Sequence, residues 1–382
     1  MKSFISSIGF ANPPYCTPQM KIAEFMADAV NMNPEERQRL FTLYRATGIS
    51  KRYSVLEDFG LERGEYKFFP NTPDMEPFPT VATRMELYRK EAIKLAANAV
   101  KDCITESQYE SVTHLITVSC TGMYAPGIDL DLVEHLGLNS TTKRTCINYM
   151  GCYAAFNALK IADNICRSDQ DAKVLIVCVE LCTIHYQKSK DWDHLLSNAI
   201  FSDGAAAVLM ENTSSTNVGL CPEVFHCDIV FQGKRDMAWQ ISNFGFEMTL
   251  SSYVPSMIEG GISKLTYGAL QKANINMDEI SFFAIHPGGK KIIEAVEDAL
   301  DIPKDKTSHS HMVLREYGNM SSPSILFVLK KILDRGIDLQ GKKIMAFAFG
   351  PGLTIESVVL SACLNPAIQN SDNKTQYAIL PQ

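Results

Sequence analysis

Six short, almost uninterrupted apolar runs restrict this chain more than any other feature. They cover residues 114–120, 174–180 and 203–210 in the first half and 280–285, 343–349 and 354–360 in the second. Runs this short, apolar at successive positions, are strands buried on both faces. A helical run follows Cys152, between the first and second strands, and another lies near 292–300, between the fourth and fifth. Strands alternating with helices predict parallel sheets covered on both faces. Each half closes with the last of its three runs, and the polar stretch 211–217 separates them. The expected organisation is an α/β fold of two pseudo-duplicated halves, 1–213 and 214–382. The likeness is in pattern rather than residue identity, so a single doubly wound sheet without internal symmetry fits the same runs.

A chain of 382 residues with 46% hydrophobic content is long enough for a well-buried core. A net charge of −7 and the lack of any cluster of five basic residues argue against a nucleic-acid or polyanion surface. The first residues run into Pro13 and Pro14 without an apolar signal segment, and no stretch approaches the roughly 18 apolar residues of a membrane helix. Eleven cysteines is an odd number, and Cys120, Cys178 and Cys182 sit inside apolar runs rather than at disulfide spacings. Free thiols in a reducing cytoplasm are the expectation. Zinc is disfavoured because no pair is spaced C-x-x-C and His309-Ser310-His311 has no cysteine pair nearby.

Three motifs carry chemistry. Gly151 allows a tight turn before Cys152, which opens the small-residue run Tyr153 to Ala162. A sulfur at a helix N-terminus meets unpaired N–H groups and a dipole that favour thiolate over thiol. His286 ends a buried strand and precedes Pro287-Gly288-Gly289, the strand edge where open α/β sheets place ligand crevices. Gly318-Asn319 precedes another apolar helical run, so its neutral amide stands at a helix start, suited to hydrogen-bond an oxyanion. Each motif alone describes an ordinary buried cysteine, a loop histidine or a turn. Together they make a nucleophile, an acid–base group and an amide donor.

Taken with Lys143-Arg144, Glu180, Phe201 to Ala207, Tyr317 to Ser322 and Phe349-Gly350-Pro351-Gly352-Leu353, these segments resemble the type III polyketide synthases, the chalcone and stilbene synthase family of the thiolase superfamily. The resemblance spans essentially the whole chain. Ketoacyl synthase III enzymes share the triad types but carry His-Gln-Ala-Asn and Gly-Asn-Thr-Ser where this chain has His-Pro-Gly-Gly and Gly-Asn-Met-Ser-Ser. The resemblance implies a thiolase-like αβαβα layered fold, a homodimer, and a starter acyl-CoA and malonyl-CoA as substrates, with no metal or organic cofactor. It implies acyl transfer to Cys152 and iterative decarboxylative condensation assisted by His286 and Asn319, ending in cyclisation to an alkylpyrone, an alkylresorcinol or another small phenolic.

The same resemblance assigns the cavity. Phe201 and Met248 fall at the two gatekeeper positions, Cys120, Cys182 and His185 where plant chalcone synthases carry threonines, and Trp239 where they carry glycine; Ser321 joins this substrate-binding set. These departures imply a bacterial-type member and a shortened elongation space. Arg39 and Arg45, with Gly289 and Lys290, are the expected coenzyme A contacts. Two rival readings are a single-condensation enzyme like ketoacyl synthase III or hydroxymethylglutaryl-CoA synthase, and a non-catalytic thiolase-fold subunit; the complete triad disfavours the second.

Overall fold

A computed structural model describes residues 2–212, 216 and 218–364. The expected boundary at 213/214 and residues 365–382 lie outside the described residues. Nine strands form one sheet: β1 (Phe4–Ala11), β2 (His114–Ser119), β3 (Lys143–Asn148), β4 (Lys173–Leu181), β5 (Asp203–Glu211), β6 (Val218–Ile229), β7 (Ile280–Ile285), β8 (Lys343–Gly350) and β9 (Thr354–Leu364). Their spatial order is β7-β8-β9-β6-β1-β5-β4-β2-β3.

The two halves repeat one pattern. In the first, β2 and β4 are parallel, β4 and β5 antiparallel, and β5 and β1 antiparallel. In the second, β7 and β8 are parallel, β8 and β9 antiparallel, and β9 and β6 antiparallel. The halves meet at the antiparallel pair Ile5↔Leu220. The expected all-parallel sheets are therefore corrected to mixed ones. The reason is that β5 and β9 follow their partners without a full crossover helix packed on the sheet, and a strand buried on both faces has the same apolar composition in either direction.

Helices complete a thiolase-like αβαβα stack. Helix Val81–Cys103 covers β1, β5 and β4 from outside; helices Val254–Ala273 and Lys290–Leu300 pack together over the second half. Between the halves lie helices Ala154–Ser168 and Pro323–Leu333, whose Phe156, Ala158, Ile325 and Phe327 are fully buried. The small residues Ala154, Ala155, Ala158 and Ala162 let this central pair approach both sheets, which explains a helix too apolar for a surface. No helix among the described residues is long and apolar enough to cross a membrane, and no group of three His, Cys, Asp or Glu side chains there is placed to hold a metal ion.

One buried carboxylate fastens the halves. Glu180, at the end of β4, accepts from the Cys120 N–H at 2.9 Å and the Thr121 hydroxyl at 2.7 Å through Oε2, and from the Ser322 hydroxyl at 2.7 Å through Oε1. Burial pushes its pKa up to about 7 against these donors. The unfolded carboxyl titrates near 4.5, so between these values the folded chain holds the extra proton and stability falls as pH rises; above the folded value the loss is complete. Gln cannot titrate. The stability of wild type relative to Glu180→Gln is therefore expected to drop by about 3 kcal/mol between pH 4.5 and pH 8. Urea midpoints of both proteins across that range check this; a constant difference would show that the carboxyl is ionised throughout.

Candidate active site

Cys152 sits in a 3₁₀ turn, Gly151–Tyr153, that leads directly into helix Ala154–Ser168. Gly151 makes the turn possible on two counts. Its φ is +80°, and a Cβ there would lie 2.2 Å from Pro351 Cδ, so the Gly350-Pro351-Gly352 loop closes directly over the Cys152 turn. The Gly151 N–H donates to Cys120 Sγ at 3.0 Å, so Cys120 acts first as an anchor beneath the turn.

His286 continues from β7, its N–H donating to the Phe347 carbonyl of β8 at 2.8 Å. Both ring nitrogens are buried without a hydrogen-bond partner. Asn319 belongs to the second half but is gripped by the first: its N–H donates to the Ile200 carbonyl at 2.9 Å, and the Ser202 N–H donates to the Asn319 carbonyl at 2.9 Å. Its side chain is oriented by two bonds, Nδ2 donating to the Gly288 carbonyl at 3.2 Å and Oδ1 accepting from the Ser321 N–H at 2.8 Å. Cys152, His286 and Asn319 line one cavity.

The electrostatics correct one expectation. Burial pushes the Cys152 thiol up to about 11, opposed by hydrogen bonds from Ser321 and Asn319; it pushes the His286 imidazole down to about 3. A helix N-terminus alone does not make this sulfur a thiolate, because desolvation outweighs it.

Phe201, Met248, Cys120, Cys182, His185, Trp239 and Ser321 all line the same cavity. Their work differs. Both His185 nitrogens are committed: Nδ1 accepts from the Phe246 N–H at 3.1 Å, which leaves Nε2–H to donate to the Thr121 carbonyl at 2.8 Å. The His185 ring stacks on Phe246 at 4.1 Å and Phe246 on Trp239 at 5.1 Å, giving a rigid aromatic wall. Trp239 and Phe246 lie on the hairpin Met237–Ser242/Gly245–Leu250.

The expected coenzyme A contacts lie outside the cavity lining. Arg39 is exposed and bonds Glu35 at 2.6 Å on its own helix. Arg45 is exposed in the last turn of helix Pro34–Ala46. Lys290 stands nearby, since a Cβ at Gly48 would meet Lys290 Cδ at 3.4 Å, and it pairs with Glu294 at 3.7 Å. None of these three lines the cavity, and it is Gly288 rather than Gly289 that does. Sequence reasoning also missed Arg52, a buried guanidinium whose Nη1 donates to the Asn198 and Phe201 carbonyls at 2.7 and 2.6 Å and so fixes Phe201. An Arg between Lys51 and Tyr53 gives no signal of that role.

Residues 2–213 match the N-terminal domain of the chalcone and stilbene synthases, and residues 224–364 match the C-terminal domain. The chain belongs to this family. It is a type III polyketide synthase, hence an acyltransferase. It is 29% identical over 363 residues to the alpha-pyrone synthesis polyketide synthase-like Pks18 of Mycobacterium tuberculosis, covering 93% of this chain and 90% of that protein. The crystal structure of PKS-I from the brown alga Ectocarpus siliculosus superposes with a TM-score of 0.86 at 28% identity, covering 94% of this chain and 98% of that one. The C-terminal type III polyketide synthase domain of Steely1 from Dictyostelium shares the fold, with a TM-score of 0.85 at 24% identity over 95% of this chain and all, 100%, of that one. The single-condensation reading is not favoured.

The Gly151 geometry generates a test. Gly151→Ala places a methyl against Pro351 and strains the turn, at a combined cost of about 2 to 4 kcal/mol. A lower melting temperature together with acylation of Cys152 slowed by about tenfold or more is expected. Stopped-flow acylation and thermal denaturation measure both; wild-type behaviour in each would mean that the loop yields without moving the sulfur.

Proposed function

We propose that Cys152 is the acyl-carrying nucleophile, with His286 and Asn319 as its partners in a decarboxylative condensation. The observation that supports this best is the pair of unpartnered, buried His286 nitrogens facing a cavity shared with a thiol at a helix start. Transfer of the thiol proton to His286 leaves the pair neutral overall and sets opposite charges side by side in a dry site, where their attraction offsets the separate desolvation costs. The thiolate attacks the starter thioester, forming Cys152–S–acyl and releasing coenzyme A, which carries off the proton held by His286.

Malonyl-CoA then loses carbon dioxide. The electron pair left behind becomes an enolate, its charge on the thioester oxygen, stabilised by hydrogen bonds from His286 and from the Asn319 amide. The enolate carbon attacks the Cys152 thioester, the sulfur leaves as thiolate, and the lengthened chain stays on coenzyme A for reloading. Repeated extension and cyclisation give an alkylpyrone, an alkylresorcinol or another small phenolic. Coenzyme A phosphates would be met by Arg45 and Lys290 outside the cavity, and the pantetheine arm would pass Gly288 and Gly289; the exposure of Arg45 and the presence of Gly288 in the cavity lining support this. The chemistry draws on the chain's own side chains and the two thioesters, in the cytoplasm, with a homodimer as the working form.

Cys152→Ala is expected to abolish product while malonyl-CoA decarboxylation remains measurable, because the enolate is held by His286 and Asn319. Release of labelled carbon dioxide from the variant measures this; complete loss with a native melting temperature would assign the sulfur a part in decarboxylation. The proton transfer has its own signature. Wild-type Cys152 should alkylate with iodoacetamide at pH 7, whereas in His286→Ala the reaction should require higher pH, moving toward the value near 11 that the buried surroundings impose without the imidazole. Identical pH profiles for the two proteins would rule out the ion pair.

A further inference from the structure

The backbone of Asn319 is tied to the end of a helix. Helix Trp192–Ile200 stops at Phe201, whose N–H donates to the Ser197 carbonyl at 3.1 Å, so the carbonyls of Asn198, Ala199 and Ile200 lie beyond the reach of any amide of the helix itself. Carbonyls left over at a buried helix end need donors from elsewhere. Arg52, on the short strand Lys51–Ser54, serves two: its Nη1 donates to Asn198 at 2.7 Å and to Phe201, the carbonyl just past the helix, at 2.6 Å. Gln19 serves a third. Its Nε2 donates to the Ala199 carbonyl at 2.7 Å while its Oε1 accepts from Arg52 Nε at 2.8 Å, so the two side chains form one bracket. The Ile200 carbonyl is left, and the Asn319 N–H donates to it at 2.9 Å.

Arg52 also reaches Asn319 from the other side. Gly318 has φ +72°, and a Cβ there would lie 3.1 and 3.2 Å from Arg52 Cγ and Cδ and 3.0 Å from the Ile200 carbonyl oxygen. The residue before Asn319 therefore rests directly on the stem of Arg52, while the guanidinium holds the helix end that the Asn319 N–H bonds. Phe201 and Asn319 pair as an isolated parallel bridge, so the carbonyl that Arg52 holds belongs to the residue opposite Asn319. Arg52 and Gln19 are 4% and 3% exposed, which leaves the bracket little room to shift. A guanidinium here also meets the negative end of the helix dipole.

We propose that Arg52 is a positioning residue for the condensation: it caps helix Trp192–Ile200 and supports Gly318, and so fixes the Asn319 amide where the enolate oxygen forms, without touching malonyl-CoA itself. The inference deepens the reading of Asn319 as an enolate donor and rests on it. A donor aimed at a developing oxyanion loses much of its effect when displaced by about 1 Å, so a loosened bracket is read out as lost turnover. Lys would keep the charge but not the planar fork that reaches two carbonyls and Gln19 together.

Labelled carbon dioxide released from malonyl-CoA by Arg52→Met, which keeps an apolar stem under Gly318 and removes the donors, tests this. Its kcat is expected to fall at least about tenfold while KM changes less than about threefold, and Arg52→Lys should recover part of the loss. The decisive comparison is a double-mutant cycle with Asn319→Ala. In that background there is no amide to misplace, so Arg52→Met should lower the residual rate by less than about twofold. A general loss of structure would lower both backgrounds equally; that result overturns the proposal, as does a wild-type kcat in folded Arg52→Met. Should Arg52→Met fail to fold, Gln19→Leu, which removes the Ala199 donor and the partner of Arg52 Nε, goes through the same cycle with the same expectation. Wild-type decarboxylation by Asn319→Ala alone would instead overturn the reading of Asn319 beneath the proposal.

Discussion

The site depends on a carboxylate that never meets substrate. Glu180 is fully buried, and a buried carboxyl must be saturated with donors or protonated. Its donors come from the loop after β2 and from Ser322 of the second half, so satisfying it fixes the separation of those segments. Cys120 is one of them, and Cys120 Sγ in turn receives the Gly151 N–H under the Cys152 turn. Ser322 is the residue after Ser321, whose side chain hydrogen-bonds the Cys152 sulfur. A single charge-bearing group thus sets the height of the sulfur relative to both halves.

The seam between the halves is stitched a second time at Asn319. Its backbone is hydrogen-bonded on both sides to Ile200 and Ser202, while its amide is turned by Gly288 and by Ser321. Asp203, next along the chain, accepts from the Val55 and Thr183 N–H groups and so extends the same seam. Rigidity at the chemistry therefore comes from groups that cross between segments distant in sequence, with the aromatic wall on one side supplying stiffness by stacking.

The strands were legible because burial on both faces leaves an unbroken apolar run, and 114–120, 174–180 and 343–349 became β2, β4 and β8 with shifts of a residue or so. Strand direction was not legible, since β5 and β9, antiparallel to their neighbours, are buried on both faces like the strands of the parallel pairs. That Cys152, His286 and Asn319 belong together was legible because Gly151, Pro287 and Gly318 mark sharp turns beside them, and all three line one cavity. His185 was readable as a cavity residue but not as a fixed tautomer, which depends on the Phe246 amide sixty-one positions away. Arg39 and Arg45 could not be distinguished from solvated charge, because exposed basic residues carry no burial signal.

The central helix pair has a consequence for the electric field. Helices Ala154–Ser168 and Pro323–Leu333 both begin at the cavity wall, through Cys152 and through the Asn319-to-Ser322 turn. Each N-terminus carries roughly half a positive charge, and two of them at one buried wall add to each other. The cavity is thus biased toward negative charge before any side chain ionises. An oxyanion forming there meets a potential already built into the backbone, which no single side-chain substitution can switch off.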